Sequence, residues 1–134
     1  MTETETVIKK EKRLSRNIIQ KIEAKYRTNI SLSNNGESKI DIGNIIKIGY
    51  NVPEGDKERI QYYEGVVIAQ QNRGLGKSFT IRRSVQGIGV EQIFLVNSPK
   101  IVSIVKKQSS KVRRAKLYFI RDLIGKAVKL KQKL

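Results

Sequence analysis

Between Lys111 and Asp122 the chain reads KVRRAKLYFIRD: five cations, two aromatic rings and one acid. Arginine presents a planar fork that grips phosphate oxygens in pairs, and lysine supplies a point charge. Aromatic rings can stack on unpaired bases. This is chemistry for holding a polyanion, not for turning one over. Lys106 and Lys107 lie just upstream and Lys126 just downstream. A solvated basic helix is the plainer reading. Its difficulty is density, because six positives fall between Lys106 and Lys116 with too few acids nearby to pair them. A membrane surface would require one coherent apolar face, which the stretch lacks. Nucleic acid fits best. Lys106, Lys107, Lys111, Arg113, Arg114, Lys116, Arg121 and Lys126 are the candidate phosphate ligands and Tyr118 a candidate base platform. Phe119 is expected to be buried as a packing anchor.

A second group sits on QQNRGLGKSFTIRR, where Asn72, Arg73, Lys77, Arg82 and Arg83 cluster around glycines that let backbone approach a ligand. Alone, the stretch reads as an ordinary polar hairpin. Beside so basic a tail it reads as a further phosphate contact. GLGKS imitates the end of a phosphate-binding loop, but Gln71 stands where the first glycine is needed and a strand-like alternation follows where a helix is needed. GIGVEQ has two glycines of a dinucleotide fingerprint and Gln92 in place of the third. Glu54, Asp56 and Glu58 crowd one turn as solvated acids, and Glu64 and Glu91 are expected in salt bridges or loop-orienting hydrogen bonds. No nucleophile has a base. The chain contains neither Cys nor His, which removes thiolate and imidazole chemistry and the usual zinc sites. An enzyme is not expected, nor a cofactor.

The charge is unevenly distributed. Across 134 residues the net charge is +16, and residues 100–134 account for +11 of it. Such a block repels itself until something anionic neutralises it, so the tail is expected to be disordered without RNA. No apolar run reaches membrane-spanning length. The opening MTETETVIKK lacks a signal-peptide core, which predicts an intracellular chain. Heavy use of Ile and Lys suggests an A/T-rich coding genome such as an organelle's.

These groups need a scaffold. Leu14, Ile18, Ile22 and Tyr26 recur every four residues, predicting a helix over Glu11–Arg27 whose stripe covers the domain or a partner. Thr28–Lys39 reads as a linker. From Ile42 the period changes to two. NIIKIGY, RIQYYEGVVIAQQ, SFTIRR, VEQIFLVN and KIVSIVKK read as five short strands separated by VPEGDKE, NRGLG, VQGIG and SP. Gly65 suggests a bulge or tight bend inside the second. The pattern predicts a mainly β fold, a small antiparallel barrel with an N-terminal helix and a basic C-terminal helical tail. On a helical wheel Val112, Ala115, Phe119 and Leu123 align as one stripe of that tail.

The strings EGVVIA, NRGL with FTIRR, GIGVE with IF and SP, and KVRRAKLY with IRD and GKA occur in the order and spacing of bacterial-type large-ribosomal-subunit protein nineteen. The resemblance covers about Ile42 to Leu134, and the GDKERIQYYEGVVIA block and the KLKQKL ending resemble cyanobacterial and plastid members. It implies an SH3-like barrel and an rRNA-binding role; with the sequence pattern, the chain divides into an N-terminal helix and linker over 1–40, which diverge from the family, the barrel over 41–107 and a basic rRNA-binding tail over 108–134. It also implies a structural place on the large subunit near the subunit interface, bound to large-subunit rRNA. Support for a bridge to small-subunit rRNA and contact with large-subunit proteins fourteen and three follow from it too, as does a ribosome in a plastid rather than a bacterial cytoplasm, with no membrane partner. IDIGNIIKI replaces the family's usual R-x-G-D-x-V entry, so no role of that Arg and Asp carries over. The alternative is an SH3-like nucleic-acid-binding regulator of transcription or translation, and the KVRRAKLY tail argues against it.

Overall fold

The computed structural model describes residues 17–26 and 40–133. Residues 17–26 form a helix, α1. Leu14, Arg27 and the linker at Thr28–Lys39 lie outside the described residues. The apolar stripe of α1 does not lie down on the domain: Ile18, Ile19, Ile22 and Tyr26 are 51–66% exposed.

Five strands follow: β1 (Ile45–Glu54), β2 (Lys57–Gln71), β3 (Ser78–Val85), β4 (Ile88–Leu95) and β5 (Ile101–Gln108). They make one antiparallel sheet in the order β4-β3-β2-β1-β5. The sheet is not closed into a barrel, since β4 and β5 are its edges and are not hydrogen-bonded to each other. It curls instead. Ile46 and Ile48 from β1, Val67 from β2, Phe79 and Ile81 from β3, Phe94 from β4 and Ile101 and Ile104 from β5 share a single core, as an SH3-like sheet requires. Period-two alternation produces this, because every second side chain of a strand faces the same way. Tyr50, edge-on to Phe94 at 5.8 Å, and Tyr63, tilted against it at 5.5 Å between ring centroids, close the rim. Each fully buried Ile or Phe contributes roughly 1.5–3 kcal/mol.

β1 and β2 run on through VPEGDKE as one long hairpin, pairing down to Glu54 and Lys57 with Gly55 at φ +57° in the turn. Pro53 is tolerated there because β5 pairs with β1 only as far as Tyr50, so the missing N–H breaks no ladder. β3 and β4 join through Gln86 and Gly87, both at positive φ, the conformation that suits a two-residue hairpin turn.

Gly65 is a close approach, not the bulge. A Cβ there would stand 2.6 Å from the Arg82 carbonyl oxygen. The irregularity falls three residues later: Val67 pairs with Ile81 and Ala69 with Thr80, which leaves Ile68 unmatched. Three consecutive residues, Val67, Ile68 and Ala69, are therefore buried, the first in the main core and the other two in a second cluster on the opposite side.

That second cluster holds the tail. The helical tail expected from composition is realised in short pieces and not as one continuous helix. Helical character is confined to two 3-10 turns, Tyr118–Asp122 and Gly125–Val128. Gly125 sits at φ +68°, which no helix continues through. The helical-wheel stripe therefore does not exist as a face. Leu117 and Ile120, each 1% exposed, pack on Ile68 and Ala69, while Phe119, expected to be buried, is only half-buried at the rim of the cluster. Apolar burial against the sheet gives the tail a defined place in this structure.

Candidate nucleic-acid interface

The bulge at Ile68 creates the attachment point. Skipped by the ladder, its carbonyl accepts a hydrogen bond of 2.8 Å from the Leu117 N–H. Upstream, buried Asn44 accepts a 3.2 Å hydrogen bond from the Ser109 hydroxyl. The chain end then returns: Lys111 N–H donates to Lys131 O at 2.9 Å, and Lys133 N–H to Ser109 O at 2.8 Å, either side of a bridge between Ser110 and Gln132. Residues 109–133 thus form a closed loop strapped to the sheet. At its root, Gly43 (φ +87°) leaves room for Val112, whose Cγ1 is 2.5 Å from where a Cβ would be.

This strap presents the KVRRAK cations. Lys111, Arg113, Arg114 and Lys116 are all exposed on the bend that leads into the Leu117 anchor. Lys106 and Lys107 are exposed on edge strand β5, where Lys107 is skipped in the pairing with β1. Among the described residues none of these six is in an ion pair. Arg114 instead lies over the Phe119 ring, 5.2 Å from its centroid, which restricts where its guanidinium can go.

Arg82 and Arg121 behave differently. Both close on Glu91: Arg82 Nη1 lies 2.9 Å from Oε1, while Arg121 Nε and Nη2 make a two-pronged contact of 2.7 and 2.8 Å. The Arg121 hydrogen bonds, chiefly, hold the Glu91 carboxyl below the usual carboxylate range, with Arg82 adding to the effect and burial opposing it. Glu91 in turn makes the Arg121 guanidinium harder to deprotonate. The trio clamps β3, β4 and the tail together, the salt-bridge role expected of Glu91. Arg121 also lies over Tyr118, 4.6 Å from its centroid, and Lys116 approaches the same ring at 6.0 Å. Tyr118 remains 41% exposed between them.

Asn72 and Arg73 are exposed at the end of β2, next to a short 3-10 turn at Gly74–Gly76. Lys77 is half-buried, and its carbonyl accepts from Val96. The Glu23 carboxylate of α1 stands where a Gly74 side chain would, so this loop already faces one acid. Arg83 lies over the Tyr63 ring at 4.9 Å. The Lys126 side chain lies outside the described residues. The nominated residues therefore separate into a free cationic strap, a Glu91-bound pair and the β2–β3 loop.

Sequence reading passed over three participants. Leu117 and Ile120, not Phe119, anchor the strap, and their burial depends on a bulge that leaves no sequence mark. Tyr62 is 55% exposed with the Lys47 ammonium 4.5 Å from its ring centroid. Strand parity could have found it, since neighbouring Tyr63 points into the core.

Among the described residues no helix is long and apolar enough to cross a membrane. A family model described as Ribosomal protein L19 matches residues 17–133. The chain is 54% identical over 95 residues to the large ribosomal subunit protein bL19c of Thalassiosira weissflogii, covering 71% of this chain and 79% of that protein. It is 55% identical over 94 residues to bL19c of Mesostigma viride, covering 70% and 79%. Against bL19 of Microcystis aeruginosa the identity is 44% over 117 residues, covering 87% and 92%.

Proposed function

This chain belongs to the ribosomal protein L19 family, structural and non-enzymatic proteins of the large ribosomal subunit, and from that premise we propose that it binds large-subunit rRNA through the strap formed by its C-terminal residues. The observation that carries this reading is the contrast within the strap. Among the described residues Lys111, Arg113, Arg114 and Lys116 are exposed without acidic partners, yet the next residue, Leu117, is buried and hydrogen-bonded to the sheet. Cations mounted on a buried anchor lose less freedom on meeting phosphate than cations on a free tail. Folded rRNA is A-form, so recognition runs through shape and phosphate positions. Lys106 and Lys107 extend the cationic surface along β5, and Tyr118 offers a ring for stacking. Asn72, Arg73 and Lys77 add a second contact from the β2–β3 loop, and Arg82, Arg83, Arg121 and Lys126 complete the RNA-facing set.

In this reading the protein sits near the subunit interface, beside large-subunit proteins fourteen and three, and supports a bridge to small-subunit rRNA. The division into an extension over 1–40, a sheet domain over 41–107 and a tail over 108–134 follows the same logic. Similarity to bL19c relatives favours a plastid ribosome.

Co-sedimentation tests the core of the proposal. The wild-type chain should travel with large subunits through a sucrose gradient. Arg113→Ala with Arg114→Ala should reduce the bound fraction severalfold while leaving the melting temperature of the free protein nearly unchanged, since both side chains are exposed. Normal incorporation of the double variant would remove these arginines from the interface. Failure of the wild-type chain to co-sediment would favour a free nucleic-acid regulator.

A further inference from the structure

Between the strap and the sheet lies a cavity of about 800 Å³ that the phosphate-binding reading does not use. One wall is β-sheet, with Ile45, Glu64 and Val66; the other is strap, with Ile120, Leu123 and Lys129. The volume falls within the range of small-molecule sites, about 300–1,000 Å³. Its chemistry is mixed. Ser110 lines it, is 7% exposed and has a hydroxyl without a partner among the described residues. A buried polar atom left unpaired costs free energy that a ligand can return. Glu64 contributes an exposed carboxylate, which accepts hydrogen bonds and repels phosphate. Lys129 is an exposed cation on the strap side. Arg82 and Arg121 also line the space but are committed to Glu91.

A bowl for phosphate alone would not carry apolar walls or a carboxylate that has no cationic partner among the described residues. A membrane lipid would not need an acceptor and a hydroxyl inside. A nucleobase needs both, since it combines flat apolar faces with N–H donors and acceptors around its edge, and the phosphates that flank it would meet cations at the rim. We propose that the cavity receives one unpaired nucleotide extruded from structured RNA, its base between the apolar walls and its edge toward Glu64 and Ser110. This deepens the RNA-binding reading and rests on it. The strap cations would hold the flanking helices by their backbone, and the cavity would select a helix interrupted by a bulge over a continuous one. Extruding a base that is already unpaired costs least, which makes a bulge the natural occupant.

The test uses the full chain and two RNA hairpins of equal length and charge, one fully paired and one with a single-nucleotide bulge. The fluorescent base aminopurine at the bulge reports its environment. The bulged hairpin should bind about tenfold more tightly, the order expected when one base gains a stacking site, and aminopurine emission should change on binding. Glu64→Gln and Ser110→Ala remove an acceptor charge and a hydroxyl with little change in shape. Each should cut the bulge preference severalfold and leave affinity for the paired hairpin within about twofold, since neither is a strap cation. Equal binding of the two hairpins with unchanged emission would overturn the cavity proposal while leaving phosphate binding standing. A bulge preference that survives both substitutions would overturn it as well, by placing the nucleotide elsewhere. Failure to bind either hairpin would overturn the RNA reading itself, and this proposal with it.

Discussion

Glu91 is the residue on which the tail's electrostatics turn. It receives hydrogen bonds from Arg82 on β3 and Arg121 on the strap, and its carboxyl is held below the ordinary range. In the unfolded chain that carboxyl binds its proton more readily, so the unfolded state takes up more protons through this window. The clamp's contribution is therefore fully present above the ordinary carboxylate pKa, about 4.3, and disappears as pH falls through the lower folded value. Melting temperature measured from about pH 6 down to about pH 3 should fall for the wild type and fall less for Glu91→Gln, which has no proton to gain. Identical slopes would show that the clamp contributes nothing net. Burial separates two other residues of the opening motif. Leu117→Ala should destabilise by about 2–5 kcal/mol in urea unfolding, because the site is enclosed. Phe119→Ala should cost less, since Phe119 is half-buried and shares its ring face with Arg114. The reverse order would place the anchor at Phe119.

At the scale of elements, one skipped residue in β2 joins sheet to strap. Ile68 lies between Val67 and Ala69 without a partner on β3, and its free carbonyl is the acceptor for Leu117. Gly43 admits the strap at its root. A side chain there would meet two separate costs, a positive φ of +87° and the Val112 methyl. Gly43→Ala should destabilise by about 1–3 kcal/mol from backbone conformation alone and should raise protease cleavage at Arg113 and Arg114 as the strap lifts. Adding Val112→Ala should restore strap protection but only part of the stability, because it removes the crowding and leaves the backbone strain. Full recovery of both in the double variant would mean that strain at φ +87° contributes little.

For the whole molecule, the relevant quantity is how many phosphates the cationic strap neutralises. Affinity for a structured RNA should fall linearly with log salt, with a slope of about −0.7 to −0.9 for each phosphate contacted. Arg113→Ala with Arg114→Ala should make that slope shallower by about 1.4–1.8 if each arginine holds one phosphate. An unchanged slope would locate the phosphate contacts elsewhere, with the β2–β3 loop around Arg73 as the next place to test. The net charge of +16 makes some salt dependence unavoidable; its change on mutation assigns it to residues.

Period-two alternation determined the five strands, because a strand buried on one face must place an apolar side chain at every second position. Ile46, Ile48, Phe79 and Ile81 fall inside as the pattern requires. Charge density likewise marked the strap as a surface for an anion, since net charge is additive along a chain and needs no fold to be counted. The strings shared with a known ribosomal family were legible for the same reason, being local. What only tertiary structure decided is the state of the last quarter of the chain. Read alone, its cations repel one another and its apolar residues make only a partial helical stripe, which predicts a tail disordered until RNA neutralises it. Folded, the segment is broken at Gly125 and laid on a sheet whose bulge in β2 supplies a carbonyl and two apolar neighbours and whose strand β4 supplies an acid. Leu117 became an anchor, Phe119 a rim residue and Arg121 a clamp because Ile68 and Glu91, distant in sequence, stand beside them. A one-residue skip in strand pairing arises from the contest between two ladders and leaves no local signature, so no window of sequence contains it.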